Sequence, residues 1–270
     1  MFHTSLSALA HENLLTFACN PVSKGTMENE FIPLSLDASF RFACHDRVAC
    51  FNECCHDLNQ FLTPYDILRL TNALGLSSSD FLEQYTTQHT GPETGLPIVA
   101  LKPETDAGMA CPFVRPSGCS VYAHRPSSCR IYPLARTITR SRETGRIEEH
   151  YALLKEPHCL GHGQDKQQTV RKWIANQELA EYNAFNDMLM EIIALKNQKG
   201  PEPLDMKSQL AFHMALYDLD RFRDQVLKKG LLDDRQADDA GLDPDLLKQA
   251  QEDDIALLRI GHWFVKRLFK

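Results

Sequence analysis

The residues best equipped for chemistry in this chain are its cysteines. There are nine, and eight fall between positions 44 and 159: Cys44, Cys50, Cys54 and Cys55, then Cys111, Cys119 and Cys129, then Cys159 alone. Thiolates are soft ligands that suit zinc, copper(I) and iron–sulfur centres, and four of them complete a tetrahedral zinc site or a cluster. Eight can fill two such sites. Cys54 and Cys55 are adjacent, so their side chains diverge. They are therefore expected to serve different metal atoms, either in two sites or within one multinuclear cluster. Only Cys50 and Cys54 have the two-to-four-residue spacing of a zinc knuckle, whereas iron–sulfur clusters accept ligands from remote loops. The spacing favours an iron–sulfur cluster, with zinc as the alternative. The bland reading is that free cysteines are simply buried as small hydrophobes.

The neighbours suit a cluster. Pro112, Pro116, Pro126 and Pro133 stiffen the second group, and Gly118, Gly161 and Gly163 let backbone N–H groups approach sulfur. Arg125 and Arg130 are placed to offset thiolate charge. His45, His56, His124 and His158 lie beside cysteines and could ligate, but with enough thiolates present they are assigned surface or supporting roles. Cys19 is remote from the rest and reads as a bystander.

Hydrophobic residues make up 43% and charged residues 24% of 270 positions, which is ordinary for a folded domain and outside the range of disorder. The net charge of −7 argues against a general nucleic-acid surface, which needs clustered Lys and Arg. No apolar run approaches the roughly 18 residues of a membrane span, and Met1 to Asn20 lacks the basic start of a secretory signal. The expected compartment is therefore the cytoplasm. In that reducing setting a dense cysteine set points to metal or catalysis rather than disulfides.

Three parts are expected: an N-terminal arm over 1–39, a cysteine-cluster metal-binding domain over 40–163, and a helical region over 164–270. Thr63 as N-cap, Pro64 and Asp66 in the first turn, and Gly75 at the end predict a helix over 64–74. A second helix starts within 77–80 and runs to Tyr85. Residues 97–101 form an apolar run, and Glu143-Thr144-Gly145 is a turn pairing 137–140 with 147–154 as a hairpin. Val170, Trp173, Ile174, Tyr182, Phe185, Leu189 and Ile192 predict one long amphipathic helix through Lys196, broken by Gly200-Pro201. Another helix is expected over 205–229, with Leu210, Met214, Leu219, Phe222 and Val226 as its apolar stripe and Gly230 as its cap. An acidic connection over 233–254 precedes a final helix over 255–270. The fold class is α+β, a small cysteine-rich core followed by a mainly helical part.

Cys111-Pro112-Phe113, Gly118-Cys119-Ser120-Val121-Tyr122, Arg125-Pro126 and Cys129-Arg130-Ile131-Tyr132-Pro133 resemble the signature of the YkgJ-type cysteine-cluster proteins, a family described as zinc- or iron-chelating. The similarity runs from Cys54-Cys55 to Cys159-Leu160-Gly161-His162-Gly163 and covers about 40–163. The family's first group is typically C-x-x-C-x-x-C-C, whereas here Cys44, Cys50 and Cys54 are spaced more widely. Flagellin lysine-N-methylases are similar in the same region. The resemblance implies a metal-binding role with Cys44, Cys50, Cys54, Cys55, Cys111, Cys119, Cys129 and Cys159 as ligands. The expected function is an iron–sulfur protein acting in electron transfer, metal handling or maturation of a protein partner, with no nucleic acid and no membrane span. The alternatives are a protein-lysine N-methyltransferase-like enzyme and a zinc-stapled interaction module.

Overall fold

The helix at Pro64–Leu74 (α1) shows how local chemistry sets the frame. The Asp66 N–H donates to the Thr63 hydroxyl, and the Asp66 carboxylate accepts from the Thr63 N–H at 2.9 Å, which closes a capping box. Gly75, at φ +64°, ends the helix in the left-handed region. The computed structural model describes residues 29–56, 58–141, 146–228 and 242–269. Cys19, the turn at 143–145, the cap at Gly230 and residues 233–241 of the acidic connection lie outside the described residues, as does the arm up to residue 28; the rest of that connection carries a helix over Pro244–Gln249.

The architecture is α+β. Within the expected arm, Glu30–Leu34 is a strand (β1). Ser39–Arg41 (β2), Phe61–Leu62 (β3), α1 and Ser78–Tyr85 (α2) follow, and then Thr86–Thr90 (β4) and Pro97–Leu101 (β5). Next come the two-residue strands Val114–Arg115 (β6) and Gly118–Cys119 (β7), the short helix Ser127–Ile131 (α3), and the hairpin Leu134–Arg140 (β8) with Ile147–Lys155 (β9). The hairpin register sets Thr137 opposite His150 and Arg140 opposite Ile147. All the sheets are small and antiparallel: β1-β9-β8, β3-β5-β4, β6-β7, and β2 with Gln167–Thr169 (β10).

The helix expected through Lys196 is two helices, Val170–Asn176 (α4) and Leu179–Asn197 (α5). Glu178 sits between them at φ +51°, a conformation that a residue with a Cβ adopts only when something holds it there. The holder is Arg130, whose guanidinium takes the Gln177 carbonyl at 2.7 Å and draws it away from the helical ladder.

The next expected helix is also broken, into Met206–Leu216 (α6) and Leu219–Arg223 (α7), the latter running into a π turn over Asp224–Lys228. Between them the buried Asp218 accepts from the Ser78 and Ser79 hydroxyls at 2.9 Å each, tying this corner to the start of α2. Leu210, expected in the apolar stripe, instead faces solvent at 66% exposure, with Met206 beside it at 79%. Pro244–Gln249 (α8) and Asp254–Arg267 (α9) complete the chain.

One buried apolar cluster draws Tyr65, Ile67 and Leu70 of α1 together with Phe185 and Ile192 of α5, Phe212 of α6 and Leu257 and Leu258 of α9. Tyr65 stacks on Phe185 at 4.7 Å between ring centroids. Gly261 permits the closest approach: a Cβ there would stand 2.0 Å from the Ala215 carbonyl oxygen. A second cluster, Phe40, Phe42, Tyr151, Leu153 and Trp173, lies under the cysteine loops on the hairpin side.

Candidate metal centre

Four stretches of chain bring the cysteines together, each held by backbone contacts. Cys44 follows β2, where the Ala43 N–H donates to the Gly161 carbonyl at 3.1 Å. Cys50 lies in the next loop, and its Sγ accepts the Leu160 N–H at 3.1 Å. Cys54 and Cys55 occupy a 3₁₀ turn, Glu53–Cys55, entered through Asn52 at φ +70°. The Asn52 side-chain amide donates to the Arg115 carbonyl at 3.0 Å.

The Cys55 carbonyl accepts the Cys111 N–H at 2.7 Å. Cys119 is the last residue of β7, opposite Val114. Cys129 rides on α3, and Cys159 opens the 3₁₀ turn Leu160–Gly163. All eight of these cysteines are unpaired thiols.

Backbone amides are aimed at the sulfurs. Cys111 takes N–H groups from Phe113 and Val114, Cys119 from Val121, and Cys159 from Gly161, each favouring the thiolate, although burial pushes all three thiols up. Burial also raises Cys44, to about 11. Cys54 is lowered to about 7, chiefly by a hydrogen bond from the Cys55 thiol, and Cys55 is raised correspondingly. Cys129 is pushed up by burial and then by the charges of Cys54, Cys111 and Cys119. Cys129 nonetheless keeps accessible surface.

The positioning residues form a frame around α3. The wholly buried Asp66 accepts the Ser127 N–H at 2.7 Å and its hydroxyl at 3.2 Å, so the capping carboxylate of α1 also anchors the helix that carries Cys129. The buried Gln60 accepts the Cys129 thiol at 3.3 Å and donates to Ser128 Oγ at 2.6 Å. Arg125 is buried, stacks on Tyr122 with its guanidinium 3.8 Å from the ring centroid, and acts electrostatically on Cys44, Cys119 and Cys129. Arg130 does a different job from the one expected, bonding the carbonyls of Ala123 and Gln177.

The candidate histidines have other employment. His45 Nδ1 accepts the Arg47 N–H at 3.2 Å, His124 Nδ1 faces Arg69 Nη2 at 3.1 Å, His158 lies 3.7 Å from the Glu156 carboxylate, and His56 is exposed. Reading of the sequence missed Gln60, Asp66, Tyr132 and His162. Burial and then Cys159 push the Tyr132 hydroxyl up, and the His162 ring packs against Phe42 at 5.3 Å. Tyr132 and His162 each had a local signal, a place three residues after a cysteine, Cys129 and Cys159, within the family-like segments.

The donor set fits a soft metal: thiols free of disulfides, flanked by amide donors and one buried guanidinium. The fit is in chemistry and convergence rather than in finished coordination. Among the described residues no three side chains of His, Cys, Asp or Glu already stand at the spacing of an assembled ion site. A metal held by these thiols would displace their protons.

Residues 43–160 match the model of the family CxxCxxCC, described as a "putative zinc- or iron-chelating domain". Over these residues the chain is similar to that family. The CxxCxxCC segment contains all eight clustered cysteines and ends at the Leu160 amide that bonds Cys50. Metal binding is thus the shared property of the domain. No curated protein and no solved structure matches the chain. No described helix is long and apolar enough to cross a membrane.

Proposed function

We propose that the chain holds an iron–sulfur centre through Cys44, Cys50, Cys54, Cys55, Cys111, Cys119, Cys129 and Cys159, and serves electron transfer, metal handling or maturation of a protein partner in the cytoplasm. The observation that supports this most is the convergence of unpaired thiols from four stretches of chain, with backbone N–H groups directed at four of the sulfurs. Hydrogen bonds to sulfur tune the potential of a cluster. The exposed cysteines Cys44 and Cys54 leave the centre open to a partner, and the exposed apolar side chains of Tyr122 and Leu160 stand in the neighbouring loops.

When bound, the centre supplies a reversible one-electron carrier or a transferable metal. The chain's own residues hold it: Gln60 and Asp66 fix Cys129, Arg125 offsets thiolate charge, and the Leu160–Gly163 turn sets Cys159 against Cys50. The test is anaerobic purification with measurement of iron, acid-labile sulfide and visible absorption. A brown, reducible protein is expected. A colourless protein with stoichiometric zinc overturns the iron–sulfur reading in favour of a zinc-stapled module, the other chemistry of the family description.

A further inference from the structure

We infer that Tyr132 is a positioning residue of the metal centre, its hydroxyl donating to the Cys159 sulfur once that sulfur is a metal-bound thiolate. The inference rests on the metal-binding reading above and adds to it a donor that is neither a ligand nor a backbone amide.

The surrounding contacts fix where the phenol lies. Tyr132 ends α3, the helix that carries Cys129, and its N–H donates to the Ser128 carbonyl at 3.3 Å. The next residue, Pro133, accepts the Leu154 N–H at 2.8 Å, which pins this corner to the end of β9, just before Cys159. The Tyr132 ring meets Phe42 edge-on with 5.8 Å between centroids, and Cys159 packs against the same buried cluster. Gly161, in the turn that Cys159 opens, sits so close to Phe42 that a Cβ there would stand 2.6 Å from the ring. The end of α3, Phe42 and the Cys159 turn therefore close around the phenol.

The hydroxyl at its tip is unspent. It is shut off from water and has no hydrogen-bond partner among the described residues. A buried donor without an acceptor is costly, so such a group calls for a reason. After burial itself, the groups that act on this hydroxyl most are Cys159 and then Glu156. The Glu156 carboxylate already faces His158 at 3.7 Å.

Cys159 supplies the reason. In the metal-free chain it is a thiol, and a thiol sulfur is a weak acceptor. Metal bound at Cys159 sends the thiol proton to solvent and leaves negative charge on the sulfur. Hydrogen bonds to a charged acceptor are shorter and about twice as strong as those to a neutral one. Loading thus creates the acceptor that the phenol lacks, while the phenol proton stays on its own oxygen. The hydroxyl is a burden without metal and an asset with it.

The test compares the full-length parent with Tyr132→Phe, which removes the hydroxyl alone, using cadmium as a soft probe for thiolates on the reduced chain. Without metal, the urea midpoint of the variant should equal or exceed that of the parent. Chelator competition should show cadmium held about tenfold more weakly by the variant, and a cadmium NMR resonance should shift. Equal affinity in the two chains overturns the role of Tyr132 and leaves metal binding standing. A variant that is less stable than the parent without metal, or that unfolds, also overturns it, because the hydroxyl then has a partner already. A parent chain that takes no cadmium overturns the metal reading and this inference with it.

Discussion

The Leu160 N–H donates to Cys50 Sγ at 3.1 Å, joining residues 110 apart in sequence. A sulfur that already accepts an amide is oriented, so on the proposed ligand set the turn carrying Leu160 is part of the site. That turn is clamped on the other side as well. A Cβ on Gly161 would lie 2.6 Å from Phe42 Cε2 and 2.9 Å from the Ala43 carbonyl oxygen, neither of which can swing aside freely. Gly161→Ala should therefore displace the turn, break the Leu160–Cys50 bond and weaken metal binding about tenfold or more without removing a ligand. Chelator competition on the purified variant measures this, and an affinity equal to the parent's would show that the clamp is not part of the site.

Cys129→Ser keeps the shape of the side chain but replaces a soft thiolate with a hydroxyl that stays protonated at neutral pH. Metal content should fall. Because metal-binding energy becomes folding energy, the stability that metal adds to the 40–163 region should shrink too. Hydrogen exchange of α1 and α3 with and without metal reads this, and unchanged metal content would remove Cys129 from the ligand set.

The elements legible in the sequence were those fixed by neighbours in sequence. Thr63, Pro64, Asp66 and Gly75 bound α1 because capping is local chemistry, and Pro97–Leu101 and the β8–β9 hairpin follow from residue type and period. What could not be read depends on contacts between distant residues. The break at Gln177–Glu178 exists because Arg130, 47 residues earlier, takes the Gln177 carbonyl. Leu210 has the spacing of a core residue, yet α6 buries Phe212, Ala215 and Leu216 and leaves Leu210 in water. The cysteines announced themselves by residue type and family signature. Gln60 and Asp66, which hold Cys129 and its helix from 69 and 61 residues away, carry no such mark.

Asp66→Ala should destabilise the protein by about 3 kcal/mol, because it leaves the amides of Thr63 and Ser127 buried without an acceptor. Both are bonded to the carboxylate in the parent, at 2.9 and 2.7 Å. Urea unfolding measures the loss. Since Ser127 starts α3, metal affinity should fall with stability, and a variant with a parent-like urea midpoint would contradict this role for the carboxylate.

Arg125→Met should weaken metal binding about tenfold near neutral pH while leaving every thiol in place. The guanidinium eases ionisation of Cys44 and Cys119, so without it those thiols hold their protons against the metal more strongly. The deficit should narrow as pH rises and free thiols ionise unaided. Affinity measured by chelator competition across pH tests this, and a deficit independent of pH would point to lost packing on Tyr122 instead.

His262 gives a stability signature far from the sulfurs. It is fully buried on α9, its Nδ1–H donates to the Leu258 carbonyl at 2.8 Å, and its ring packs on Phe185. Burial lowers its pKa from 6.5 to about 4; Lys266 lowers it slightly further, while the Leu258 carbonyl and Glu191 oppose the shift. The folded state therefore resists a proton that the unfolded chain accepts from about pH 6.5 downward. Stability contributed by the neutral ring is complete above pH 6.5 and is lost as pH falls through 4, to a total of about 3 kcal/mol. Carboxylates titrate over part of the same range, so the informative quantity is the difference between the parent and His262→Phe, which keeps the ring shape without a titrating group. Urea midpoints measured from pH 7.5 to 4 should fall more steeply for the parent than for the variant, and parallel curves would mean that the buried imidazole does not couple folding to pH.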